Sequence, residues 1–240
     1  MSESIATVFF NRPDKKNAYT PLMGDEIVAA LNAAMADDDV RVVILTGRGD
    51  AYCGGVDLDF LKAHMAGADT GPGSKLGEEH FVNGWPLDVV GYAKPVIAAI
   101  NGAAYGVGVT MTLGCDLRVA ARGAKLGLNF AKLGMLPGLG STHHLPRLVG
   151  MGKALQWVLT GASLTAEDAF AAGLVQELTE PGATYARARE LALAMAAIQP
   201  AVLQAARTAL RVGAEASLEE AIAGEKRASA ELTAMRQADQ

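Results

Sequence analysis

An α/β core followed by a helical layer is the fold class that three features of this 240-residue chain predict. Residues 41–46 (Arg-Val-Val-Ile-Leu-Thr) and 95–100 (Pro-Val-Ile-Ala-Ala-Ile) are apolar on successive positions. That pattern belongs to strands covered on both faces, as in parallel sheets flanked by helices. Each is followed by a glycine-bearing turn and then by helical periodicity, the order of βα units with right-handed crossovers. After Pro181 no strand pattern recurs. The core is therefore assigned to residues 1–182 and a C-terminal helical region to residues 183–240. Composition permits such a core: 50% of residues are hydrophobic and 20% charged, with mean hydropathy +0.19. Aromatics are only 5%, so packing rests on aliphatic and small side chains.

The elements follow in order. Residues 6–10 form a short apolar strand that ends in the turn cluster Asn11-Arg12-Pro13-Asp14. Thr20 and Pro21 open a helix to Met35, with threonine as N-cap, proline at the first helical position, and Asp25 and Glu26 in the opening turns. Asp37-Asp38-Asp39 ends it. After the strand at 41–46 and the loop Gly47-Arg48-Gly49-Asp50, residues 57–66 read as helix. Residues 67–77, with Gly67, Gly71, Pro72, Gly73 and Gly77, read as a mobile loop, and 78–92 as partly helical. After 95–100 come a short helix at 106–113 and strands at 116–120 and 126–128. Helices follow at 142–149, 151–160 and 165–172, the last opened by a Thr165-x-x-Asp168 capping box. A last strand at 174–178 precedes the helical region, where Ser217-x-x-Glu220 forms another box. The stripe of Leu203, Ala206 and Leu210 is expected to pack on the core or on another subunit.

Charge and cysteines exclude several classes. A formal net charge of −5 argues against a nucleic-acid partner, although an anionic small ligand needs only local positive charge. Cys53 and Cys115, with no C-x-x-C, read as reduced buried thiols of a cytoplasmic protein. Residues 95–115 carry no charge and contain Gly102-x-x-x-Gly106, yet Pro95, Asn101, four glycines and two threonines make a poor membrane span. No membrane partner is expected. His64, His80, His143 and His144 lack metal-ligand spacing, so no metal is expected either. Residues 150–154 fail as a phosphate loop, and no G-x-S-x-G is present.

Two glycine-flanked elements carry the chemistry. Cys53-Gly54-Gly55-Val56-Asp57-Leu58 and Tyr105-Gly106-Val107-Gly108 each lie where a buried strand gives way to a helix. Helix N-termini leave N–H groups unpaired and carry a positive dipole end. Two such ends facing one point bind an oxyanion. Turn glycines alone would explain either element taken singly.

These residues belong to a longer series: Asn11-Arg12-Pro13-x-x-Lys16-Asn17-Ala18, Val43-Ile44-Leu45-Thr46-Gly47, Tyr52 through Leu58, Lys94 through Gly102, Gly114-Cys115-Asp116-Leu117-Arg118, Leu133 through Gly138, Leu145 through Gly150, and Gly161 through Leu174. The series resembles the crotonase (enoyl-CoA hydratase/isomerase) superfamily over nearly the whole chain. The resemblance implies a ClpP/crotonase-like fold of repeated ββα units in two roughly perpendicular sheets with a C-terminal helical region. It implies a coenzyme A thioester as substrate with no separate cofactor, in fatty acid metabolism. The enolate-like oxygen would be held by the backbone N–H groups of Val56 and Val107, with Asp57 and Leu58 at the adjoining helix start. The adenine end would lie near Lys16, Asn17 and Ala18, with Lys16 and Arg12 as phosphate partners; solvated surface charge explains those cations equally well. A homotrimer or dimer of trimers is implied, with the helical tail at the interface.

Three departures matter. Where family hydratases keep glutamates, this chain has Thr110 and Phe130, and where many isomerases keep an acid it has Gly138. Hydration across a conjugated double bond needs a base for water and an acid for carbon, so double-bond isomerisation or a specialised reaction is favoured. Replacement groups would come from Asp59, His64, Glu78, Glu79 or His80, of which His64 is preferred; Tyr105 and Asn129 would supply hydrogen bonds. The alternatives are a catalytically inactive acyl-CoA-binding member of the family and a pure assembly protein. The strand that usually precedes residues 6–10 in the family is not seen; either the true start lies upstream, or that sheet edge is exposed or differently covered.

Overall fold

In the computed structural model, residues 4–68 and 70–238 are described, and their nine strands sort into two sheets. The chain runs β1 (Ile5–Phe10), α1 (Pro21–Ala36), β2 (Val42–Gly47), β3 (Ala51–Cys53) and α2 (Leu58–Met65). It continues through α3 (His80–Asn83), α4 (Trp85–Gly91), β4 (Val96–Ile100), β5 (Ala103–Tyr105) and α5 (Val107–Thr110). Then come β6 (Leu117–Ala121), β7 (Lys125–Gly127), α6 (Ser141–Val149), α7 (Met151–Thr160), β8 (Ser163–Thr165), α8 (Ala166–Ala171) and β9 (Glu177–Thr179). Three helices finish it: α9 (Thr184–Ala196), α10 (Pro200–Gly213) and α11 (Leu218–Ala238).

The first sheet has the order β1-β2-β4-β6-β9 and is wholly parallel. The second has the order β3-β5-β7-β8, with only the β7–β8 pair antiparallel. Consecutive strand pairs (β2 and β3, β4 and β5, β6 and β7) send the first member to one sheet and the second to the other. This is the repeated ββα order. Every strand of the second sheet has three residues, too few for a sequence period, so β3, β5 and β8 carry no strand pattern of their own in the sequence.

Burial on both faces of β2 and β4 follows the two-residue alternation. Val43, Leu45, Ala98 and Ile100 join the main core with Met23, Ile27 and Leu31 of α1. Val42, Ile44, Ile97 and Ala99 form a second cluster with Ala188 and Ala192 of α9. Thus α9, assigned by sequence to the C-terminal region, closes the outer face of the first sheet; a boundary at 183 does not part it from the core. The small alanines there let the helix approach closely.

α10 and α11 contain no buried residue. α10 is tied to the core by charge instead. Arg207 bonds the Asp116 carboxylate at 2.8 Å and the carbonyls of Val89, Val90 and Tyr92; Arg211 shares that carboxylate at 2.8 Å. Asp116 also accepts the Val96 N–H at 2.8 Å.

Other elements shift by small amounts. The strand expected at 174–178 begins at Glu177, because Leu174 and Val175 are buried in the turn after α8. The helix expected at 106–113 closes after one turn, and 78–92 divides at Gly84. Both capping boxes form. β1 is a sheet edge and is half-buried over residues 5–9. Among the described residues no helix is long and apolar enough to cross a membrane. Cys53 and Cys115 are buried and free, and burial pushes each thiol up to about 12.

Candidate active site

The two glycine-flanked elements abut. Gly55 has φ +99 and Gly106 φ +52, conformations that L side chains rarely adopt. A Cβ on Gly55 would lie 3.2 Å from the Tyr105 carbonyl oxygen. The first element is fastened on both sides to residues 16–19: Gly54 N–H donates to Lys16 O at 2.8 Å, Tyr19 N–H to Gly55 O at 2.7 Å, and Asp57 N–H to Tyr19 O at 2.8 Å. The second is fastened by Gly106 N–H to Gly127 O at 2.8 Å, while Gly106 O accepts from the first turn of α5. The amides of Val56 and Val107 donate to no group among the described residues.

Both valines line a cavity of about 430 Å³. Leu58, Thr110, Phe130 and Gly138 line it as well, so six of the sequence-predicted residues converge. Tyr105 and Asn129 join them. The walls are mostly apolar, and Leu58 and Leu136 remain exposed at 55% and 90%, which leaves the mouth open. Thr110 is buried, and its hydroxyl donates back to Val107 O at 3.5 Å, so it offers no base.

The remaining predicted residues build the support. Asp57 caps α2, accepting from Asp59 and Phe60 amides, and binds Arg12 at 2.8 Å. Burial pushes its carboxyl up, but Arg12 and those amides outweigh this and hold it below the usual carboxylate range. Asn17 is fully buried: its amide donates to Arg48 O and Ala51 O at 2.9 and 2.8 Å and accepts from Arg12 N–H at 2.9 Å. Arg12 also bonds Ala18 O. Arg12 and Asn17 are thus committed to the scaffold. Lys16 is exposed and pairs with Asp50 at 2.5 Å.

Of the proposed replacement groups, the structure brings only one to the cavity. His64 is exposed on α2, one turn beyond Leu61, and does not line it. Asp59 pairs with Lys15, and His80 with Asp88, both at the surface; Glu78 is exposed. Glu79 is fully buried and lines the cavity. Its Oε1 accepts a 2.8 Å hydrogen bond from the Tyr19 hydroxyl, and its Oε2 has no partner among the described residues. Burial and the Glu79 carboxylate push the Tyr19 hydroxyl far above the ordinary phenol range, so it stays protonated as a donor. Tyr19 missed notice in sequence because nothing local marks it.

The family described as enoyl-CoA hydratase/isomerase matches residues 1–239. The chain belongs to this family. Its crotonase-superfamily relatives include the (E)-benzylidenesuccinyl-CoA hydratase of Thauera aromatica, 34% identical over 92% of this chain and 84% of that one. They also include the 1,2-epoxyphenylacetyl-CoA isomerase of Escherichia coli, 34% identical over 80% of this chain and 72% of that one. The solved enoyl-CoA hydratase subunit I of Geobacillus kaustophilus superposes with a TM-score of 0.86 at 33% identity, covering 98% of this chain and 88% of that one. The crotonase fold and an enzyme of the hydratase/isomerase family are therefore established. A hydratase and an isomerase match equally well, so identity does not select the reaction.

Proposed function

We propose that this family enzyme binds an acyl-CoA with its acyl group in the 430 Å³ cavity and its thioester oxygen between the Val56 and Val107 amides. The observation that carries this is two main-chain donors, without partners among the described residues, on abutting segments of one apolar cavity. Removing a proton beside a thioester places negative charge on that oxygen. Fixed donors in a dry site stabilise it, each by about 2.7–4 kcal/mol where one has been deleted. With Thr110 and Phe130 supplying no carboxylate, the reading favours proton relocation along an enolate, as in double-bond isomerisation, over water addition by an acid pair. Lys16 is assigned to the phosphates of coenzyme A. A homotrimer with α10 and α11 at the interface, and a cytoplasmic setting, complete the reading.

The test is a panel of 2-enoyl- and 3-enoyl-CoAs followed by mass spectrometry, with binding measured alongside. Val107→Pro removes one donor at the first helical position, where proline is tolerated. Its turnover is expected to fall about 10²–10³-fold with acyl-CoA binding retained. Tight binding without turnover of any thioester by the unaltered protein establishes the inactive acyl-CoA binder instead.

A further inference from the structure

We propose that Glu79 is the group that moves the substrate proton in this cavity and that Tyr19 is its positioning residue; this rests on the acyl-CoA reading above. Buried carboxylates normally have partners for their oxygens, and leaving one unpaired costs free energy. Glu79 is 0% exposed, and among the described residues only its Oε1 finds a partner. Glu79 Oε2, without a partner among the described residues, belongs to a buried residue of the wall that Val56 and Val107 share.

The surroundings are built to hold that carboxylate. Tyr19 stacks on Phe81 and Phe81 on Trp85, at centroid separations of 5.1 and 4.9 Å. Phe81 and Trp85 are fully buried, so the stack pins α3, and with it Glu79, against the entry to α1. Gly24 makes room for the contact: a Cβ there would lie 2.5 Å from the Tyr19 hydroxyl and 2.9 Å from Phe81 Cβ. The Tyr19 backbone is bonded on both sides to the segment that carries the Val56 amide. One residue therefore ties the carboxylate to the first oxyanion donor.

For a 3-enoyl-CoA the step balances with one carboxylate. The C2–H bond breaks, its proton passes to Glu79 Oε2, and its electron pair moves into the thioester to leave an enolate oxygen at the two amides. Collapse of the enolate forms the C2–C3 double bond, the old C3–C4 π pair takes the proton back at C4, and the carboxylate is restored. No second acid is needed, consistent with Thr110, Phe130 and Gly138.

The experiment measures three quantities for the unaltered protein and for Glu79→Gln, Glu79→Asp, Tyr19→Phe and His64→Ala: acyl-CoA affinity, isomerisation of 3-enoyl-CoAs, and deuterium uptake at C2 from D₂O. Glu79→Gln is expected to lose at least about 100-fold in turnover and exchange, with affinity within about 3-fold. Tyr19→Phe is expected to lower kcat about 10-fold at unchanged KM, and Glu79→Asp to recover part of the loss. Full activity in Glu79→Gln, or loss of exchange in His64→Ala alone, overturns the assignment. So does an unaltered protein that binds acyl-CoA but neither exchanges nor isomerises. Absence of acyl-CoA binding overturns the broader reading as well, so the two failures are distinct. If Glu79→Gln fails to fold, Tyr19→Phe decides: unchanged kcat refutes the positioning role.

Discussion

Gly108→Ala isolates the packing that holds the Val107 amide in place. Gly108 sits in α5, and its backbone passes so close to β3 that an added Cβ would lie 2.4 Å from the Cys53 carbonyl oxygen and 2.9 Å from Cys53 Cβ. Ordinary contact begins at 3.4 Å, so the start of α5 must retreat by about 1 Å. Neither neighbour yields readily, because β3 is fully buried and the oxygen belongs to backbone. Overpacking of this kind costs about 1–3 kcal/mol, which for a chain of this size lowers Tm by about 2–4 °C per kcal/mol. A misplacement of about 1 Å near a reacting centre costs about 10²-fold in rate. Gly152→Ala is the matched control. It lies in α7, and an added Cβ meets nothing within 4 Å, so it should be neutral or stabilise by about 0.4–1 kcal/mol. Thermal melts and acyl-CoA turnover on the three proteins read both quantities. A Gly108→Ala protein with wild-type Tm and turnover within about 3-fold would refute the view that this close approach sets the donor.

Three further outcomes are expected. Asp57→Ala removes the α2 cap and the partner of Arg12 and should cost about 1–2 kcal/mol, read by denaturant titration. The folded Asp57 carboxyl lies below its unfolded value, so its stabilisation is fully present above the ordinary aspartate range and is lost as pH falls through the depressed value; melts from pH 7 down to about 3 should therefore fall less steeply in Asp57→Ala than in the unaltered protein. Arg207→Ala should cost about 3 kcal/mol, since it strips a half-buried carboxylate and three carbonyls of one donor while Arg211 remains; proteolysis within α10 is the sensitive assay, and an unchanged digestion pattern would show that the helix is held otherwise. Cys53 and Cys115, with thiols raised to about 12, should resist a thiol reagent in the native protein and both react once it is unfolded.

The legible parts of the fold were those with length. β2 and β4 announce themselves by apolar residues on successive positions, and α1 by its Thr20 cap and Pro21. Of the second sheet only β7 was legible, as the strand expected at 126–128; β3, β5 and β8 are three residues long and are recognised by their partners, not by their own pattern. The cavity-lining residues Val56, Leu58, Val107, Thr110, Phe130 and Gly138 were reached through family resemblance joined to the physics of helix starts. The choice among Asp59, His64, Glu78, Glu79 and His80 was not reachable, because it depends on an aromatic stack between residues 19 and 81. A contact across that separation leaves no local trace. His64 looked suitable by chemistry alone, and helix geometry carries it past the cavity.

The donors proposed at Val56 and Val107 are main-chain groups, and this has a consequence for how variation here is to be interpreted. Apart from proline, no residue exchanged at 56 or 107 deletes the N–H, so a mutational scan of those two sites will look permissive. The sensitive sites are their neighbours. Gly55, Gly106 and Gly108 have no functional group at all, yet they are where an added methyl would bend the path that aims both amides. In this protein the specification of the site is written one residue away from the atoms it specifies.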